Sequence, residues 1–169
     1  AFGKNLIEGI LKIAIFIGYT ALTALTKDIR RTYEYHGAEH KTIACYEHEE
    51  ELTVENVKKY TRFHPRCGTS FIFLVLFISI FVNTIFRVSW ASILLRVVIK
   101  IALLPIVTGI AYELIRLAGR YDNIFTKIIS APGLWIQRIT TSEPDESQIE
   151  CAIAALKACI PENKEDDKW

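Results

Sequence analysis

Methionine is missing from this chain altogether, even at position 1. In 169 residues of which 51% are apolar that absence is odd, and it predicts that the native start and other pieces lie outside the given sequence. Charge of one sign is equally scarce. Twenty basic against 19 acidic side chains leave a net +1, so no basic face argues for nucleic acid, and no such partner is expected. Cysteine is limited to four without regular spacing, which argues against a disulfide framework and for reduced thiols facing the cytoplasm. There is no internal repeat and no low-complexity tract.

What the chain has is apolar length. Three stretches stand out: Ile13–Thr26, preceded by Glu8 and Lys12; Phe71–Phe86, resuming after Arg87 with Val88–Leu95; and Ile101–Tyr112, broken by Pro105 and Gly109 and followed by Glu113. Each falls short of the roughly 20 residues of a perpendicular span, and flanking Lys12, Arg96 and Lys100 would snorkel to close the gap. A soluble bundle with buried helices is the alternative, and the second stretch, apolar on every face, speaks against it. The expected fold is all-α: a helical integral membrane protein with about three membrane-embedded helices plus cytoplasmic and interfacial ones. One domain is expected over residues 1–161, with a disordered charged tail at 162–169.

Basic residues orient the spans. Lys27, Arg30 and Arg31 follow the first, Arg62 and Arg66 precede the second, and Arg116 and Arg120 follow the third. The positive-inside rule puts 27–70 and 116–169 in the cytoplasm and 87–100 outside, with Arg87, Arg96 and Lys100 arguing the other way. Between spans, Lys27–Glu47 reads as a continuation of the first helix, with Gly37 its weak point. Thr53 caps a helix over Val54–Arg62, and Pro65 ends it. Ile124–Ile139, interrupted by Pro132-Gly133, reads as two short interfacial segments. A last helix starts at Asp145 with Gln148 completing a capping box. Its stripe is Ile149, Ile153, Leu156 and Ile160, flanked by Cys151 and Cys159 as packing residues, and Pro161 stops it.

The chemistry is concentrated between His36 and Cys67, where all four histidines and two of the four cysteines fall. His36-Gly-Ala-Glu39-His40 is an H-x-x-E-H pattern. On a helix the two imidazoles leave one face a turn apart, as a shared zinc requires, and Glu39 in such a motif serves as general base rather than ligand. A third ligand is needed. His64 and Cys67, bracketing Pro65-Arg66 before Gly68, are candidates, with a structural turn and a buried thiol as their alternative. Glu113 is another, since an ionised group in a span is costly, although an ion pair with Arg116 would also explain it. His48 fits a solvated charged loop, Cys45 a buried small side chain, and Glu143, Asp145 and Glu146 an acidic helix N-terminus.

His36-Gly-Ala-Glu-His-Lys-Thr42, Glu51-Leu-Thr-Val-Glu-Asn-Val57, His64-Pro-Arg-Cys-Gly-Thr-Ser70 and the segment from Glu143 to Glu150 resemble the YqhQ-like membrane proteins. That bacterial family of unknown function is described as predicted metal-dependent enzymes. Ala131-Pro-Gly-Leu134 and Tyr112-Glu113 fit as well, so the resemblance covers nearly all of Leu6–Pro161. Glu49 stands where a glycine is usual and Ser142 where a basic residue is common. The family's Gly- and Met-rich N-terminal region is absent.

The resemblance implies a bacterial membrane protein, and the orientation read from the basic residues puts its site on the cytoplasmic side of the cytoplasmic membrane. The preferred expectation is a zinc-type hydrolase acting on a peptide or other acyl bond near the membrane surface. His36 and His40 would bind metal, Glu39 would be the base, and Glu113 or His64/Cys67 would complete the shell. Its partners would be the lipid bilayer, and other membrane proteins or a membrane-associated peptide substrate. A non-catalytic assembly or scaffold protein with a structural zinc is one rival, and a metal transporter or sensor is the other.

Overall fold

The computed structural model describes residues 2–86, 92–121 and 123–161, and all regular structure among them is helical. Seven helices follow in chain order: α1 (Phe2–Thr23), α2 (Lys27–Glu47), α3 (Val54–Lys58), α4 (Gly68–Ile85), α5 (Ile93–Arg120), α6 (Ile124–Thr140) and α7 (Glu146–Cys159). Three of these, α1 from Leu6, α4 and α5, are long and apolar enough to cross a membrane. The chain is an all-α membrane protein. The expected disordered tail at 162–169 and residues 87–91 of the loop expected to face outward lie outside the described residues.

Two compact units emerge. One takes the chain up to Tyr19 together with Pro65–Ile136; the other takes Thr20–His64 and the chain from Gln137 onward.

In the first unit the spans run longer than their uncharged cores. α1 carries Glu8 and Lys12 inside its apolar window because the charges are paired. Glu8 Oε1 accepts from Lys12 Nζ at 2.7 Å and from Lys100 Nζ of α5 at 2.6 Å, which offsets the cost of charge in an apolar medium. α5 runs unbroken for 28 residues through Pro105 and Gly109, where the sequence suggested a break. Pro105 withdraws only the one N–H that would have met the Ile101 carbonyl, a loss that spanning helices tolerate. Ile93–Leu95, read from sequence as a resumption of the second stretch, instead opens α5, capped by Ser92.

α4 and α5 pack through Val82, Leu103 and Val107. Small residues set the other approaches: a Cβ on Gly9 would strike Ile80, and one on Gly133 would strike Ser70. Close backbone contact of this kind holds helices together where lipid supplies no hydrophobic drive. The Gly133 contact also explains why α6 is one helix rather than two segments. Pro132 costs it one backbone donor, and the neighbouring glycine gains a tight fit. Between α4, α5 and α6, with Ile13 of α1, lies a cavity of about 610 Å³ with an almost wholly apolar lining.

The second unit is built around α2. α2 is a separate helix over the expected residues, entered by the turn at Ala24–Thr26. Its buried face meets α3 and α7 through Ala38, Cys45, Val57, Ile149 and Ile153. Gly37 is buried with the Ser142 carbonyl where a Cβ would stand, and Ser142 N–H donates to the Tyr33 carbonyl at 2.8 Å. Glycine at 37 is thus a requirement of packing. α3 begins at its Thr53 cap as expected but ends at Lys58, well before Arg62. α7 starts with the Asp145–Gln148 capping box, and Gln148 reaches on to Glu34 at 3.0 Å. Ile149 and Ile153 of its stripe are buried. Cys151 and Cys159 are exposed, contrary to the packing role expected of them, because they lie off the buried stripe.

Candidate metal centre

α2 presents His36 and His40 one turn apart, their ring centroids 4.3 Å from each other. His64, arriving from the segment after α3, brings its ring to 5.7 Å from that of His40. His40 and His64 are only 3% and 6% exposed, while His36 is half-buried. Three of the four histidines therefore converge within one unit.

The hydrogen bonds fix which nitrogen each ring offers. His36 Nδ1 lies 2.9 Å from the Thr140 carbonyl and His40 Nδ1 lies 2.7 Å from the Arg62 carbonyl. A carbonyl only accepts, so both rings carry their proton on Nδ1 and direct the Nε2 lone pair elsewhere. Metal-binding histidines are oriented by this kind of outer bond. A potential ligand atom of His36 lies within 4.8 Å of one on His40. Two nitrogens sharing a tetrahedral zinc at about 2.0–2.1 Å stand about 3.4 Å apart, which that limit includes.

Several residues that sequence reasoning passed over build the surroundings. Gln137, fully buried near the end of α6, grips the backbone of His64 from both sides. Its Oε1 accepts from His64 N–H at 2.8 Å, and its Nε2 donates to the His64 carbonyl at 2.7 Å. Arg62, whose carbonyl receives His40, is itself anchored by its guanidinium on the Thr141 carbonyl and hydroxyl. Glu47 Oε2 lies 3.3 Å from His64 Nε2. A signal for Glu47 existed: it follows His40 by seven residues, two helical turns, and so shares its face. For Gln137 there was none, since it meets His64 across 73 residues of chain.

The remaining candidates are placed as follows. Glu39 is exposed on α2, beside half-buried His36. Cys67 is buried at the N-cap of α4, its sulfur 3.0 Å from the Thr69 hydroxyl. Glu113 on α5 is exposed and pairs with Arg116 at 3.6 Å. Cys67 and Glu113 belong to the first unit. His48 caps α2 and lies against Tyr60, their ring centroids 5.0 Å apart. Cys45 is fully buried, and burial with the nearby Glu50 charge pushes its thiol up. Burial and a hydrogen bond to Glu50 likewise raise the Tyr60 hydroxyl. The acids before α7 have structural partners: Glu143 pairs with buried Lys41, Glu146 with Lys58, and Asp145 caps the helix.

Comparison with known proteins adds a family. The chain matches the family described as "Protein of unknown function (DUF1385)" over residues 1–162 and belongs to it. It is 41% identical over 155 residues to "Uncharacterized protein YqhQ" of Bacillus subtilis (strain 168), a match covering 91% of this chain and 48% of that protein. The chain thus spans about half the length of this relative. No solved structure matches.

Proposed function

We propose that this member of the family is a zinc-dependent hydrolase held in the membrane, cleaving a peptide or other acyl bond at the cytoplasmic surface. The observation that supports it most is the preset tautomer of His36 and His40, each with Nδ1 committed to a backbone carbonyl. Nitrogen ligands of this kind suit zinc, whereas magnesium and calcium prefer oxygen. His64 is the third ligand within the same unit, with Cys67 and Glu113 as alternatives that metal analysis of their alanine variants separates.

A bound zinc would supply Lewis acidity toward a carbonyl oxygen and activate water near neutral pH. The protein's own part is positional. The Thr140 and Arg62 carbonyls hold two rings in one tautomer, Gln137 holds the third residue's backbone, and the half-buried His36 leaves access from its side of α2. On that side Glu39, exposed, takes the proton from the attacking water.

His36→Ala with His40→Ala should abolish bound zinc in purified protein, measured by elemental analysis; undiminished zinc would move the site elsewhere. Glu39→Gln should keep zinc and lower activity, read as growth complementation, by roughly 10²–10⁴-fold. Full complementation with normal zinc would end the hydrolase reading. It would favour the alternative of a structural zinc, which the deep burial of His40 and His64 otherwise supports. The cytoplasmic assignment is tested with a cysteine at Ser89, which should react with an impermeant reagent in intact cells.

A further inference from the structure

We infer that Glu47 positions His64 so that the third nitrogen offered to the metal is Nδ1, the reverse of the Nε2 offered by His36 and His40. The inference rests on the zinc reading above and assigns a residue that the H-x-x-E-H pattern does not contain.

Glu47 ends α2, seven residues past His40. Seven residues are nearly two turns, so the two side chains leave one face of the helix, offset by about 20° and about 10.5 Å apart along its axis. The ring of His64 meets both. Its centroid is 5.7 Å from that of His40, and its Nε2 is 3.3 Å from Glu47 Oε2. All of these residues belong to one unit.

The partner's chemistry decides where the proton sits. An ionised carboxylate only accepts, so a neutral His64 bonded to it carries its proton on Nε2 and its lone pair on Nδ1. His36 and His40 face carbonyls through Nδ1 and have the reverse tautomer. The two nitrogens of an imidazole point in nearly opposite directions, so a ring that gives Nε2 to Glu47 turns Nδ1 away from it.

Distance agrees with a shared metal. Zinc lies about 2.0–2.1 Å from a ligating nitrogen and about 3.2 Å from the ring centre, which sets two centroids about 5 Å apart in a tetrahedral site. The 5.7 Å between His40 and His64 is close to that value. Gln137 already bonds the N–H and the carbonyl of His64, so only the side-chain torsions remain to be set. The His64 side chain is 8% exposed and that of Glu47 35%, so the charged end keeps contact with water while the ring is buried. Ligating histidines donate their other N–H to a carboxylate or a carbonyl, which orients the ring and raises its basicity. Here two rings are oriented by carbonyls and the third by a carboxylate.

The test uses the full chain in detergent with ¹⁵N-labelled histidine, at about pH 8, above the ordinary histidine range. Long-range ¹⁵N–¹H correlation of metal-free protein should show His64 protonated on Nε2, and His36 and His40 on Nδ1. Glu47→Ala should abolish that preference at His64 and leave the other two rings as they were. Zinc affinity, read by competition with a chromophoric chelator, should fall about 10–100-fold with it. Glu47→Gln keeps an acceptor oxygen and should restore the tautomer and part of the affinity, a rescue that a packing role would not give. With ¹¹³Cd in place of zinc, scalar coupling should reach Nδ1 of His64 and Nε2 of His36 and His40. His64 protonated on Nδ1 in the wild-type chain would overturn the assignment, and so would an unchanged tautomer in folded Glu47→Ala protein. The tautomers are read without metal, so they decide the part of Glu47 even if wild-type protein takes up no zinc. That last result would end the zinc reading itself.

Discussion

The two units solve the same problem, holding helices together, by opposite means. In the spanning unit the apolar residues point largely outward, and contact rests on small residues, one ion-pair triad and a short Val82–Leu103–Val107 seam. In the histidine-bearing unit the apolar residues point inward, and around them lies a layer of fully buried polar groups: Gln137, Thr140, Thr141 and Gln148. Lipid is as apolar as leucine, so burying leucine against leucine gains nothing there, and packing geometry has to serve instead. Buried amides and hydroxyls are the costlier choice in the second unit unless every one is bonded. There Gln137 fixes the backbone of His64, and the Thr141 hydroxyl holds the Arg62 whose carbonyl meets His40.

Glycine substitutions break the comparison most sharply. Gly37→Ala sets a methyl against the Ser142 carbonyl, in a residue whose own N–H is bonded to the Tyr33 carbonyl, and should cost up to about 3 kcal/mol in thermal or denaturant unfolding. Gly119→Ala meets only the flexible stem of Arg66 and should cost well under about 1 kcal/mol. Equal losses would mean that the two packings are equally rigid.

Gln137→Leu tests the polar layer. Zinc affinity should fall about 10–100-fold, the usual effect of losing an outer-shell partner. Gln137→Glu should recover part of this through the bond that its carboxylate still accepts from His64 N–H. An affinity unchanged in folded Gln137→Leu protein would make the residue a packing element only.

A smaller effect of opposite sign is expected at Glu49, which takes the left-handed conformation at φ 57°. Glu49→Gly should raise stability by about 1 kcal/mol, the penalty that a side chain carries there.

The smallest effect concerns pH. Hydrogen bonds from the Ser147 hydroxyl and the Gln148 N–H hold the Asp145 carboxyl below its ordinary value. A lowered folded pKa contributes stability that is complete above the unfolded carboxylate range and is lost as pH falls through the folded value. Melting temperature should therefore decline in acid, and Asp145→Asn should flatten that decline slightly.

Much of this architecture was legible in the sequence, for identifiable reasons. α7 announces itself by local chemistry, a capping box and an apolar stripe whose signals lie within one or two turns, whereas the residues of α2 read as a continuation of α1 because no proline or glycine marks the turn at Ala24–Thr26. The i, i+4 histidines are local too. α5 and α6 misled because Pro105 and Pro132 each remove one backbone donor without ending the helix that holds them. The pairing of Glu8 with Lys100, like the grip of Gln137 on His64, joins residues far apart in the chain, and single-sequence periodicity carries no trace of such meetings. Cys151 and Cys159 were misplaced because flanking a stripe is not the same as joining it.

The four thiols divide in a way that gives the molecule two clocks. Cys45 is sealed in the core of one unit and Cys67 at the head of a helix in the other, while Cys151 and Cys159 stand open to solvent. With the exposed pair replaced by serine, each buried thiol reacts only when its own surroundings open. The rate at which a small alkylating reagent reaches each would time the breathing of the two units separately, in one sample and without a substrate.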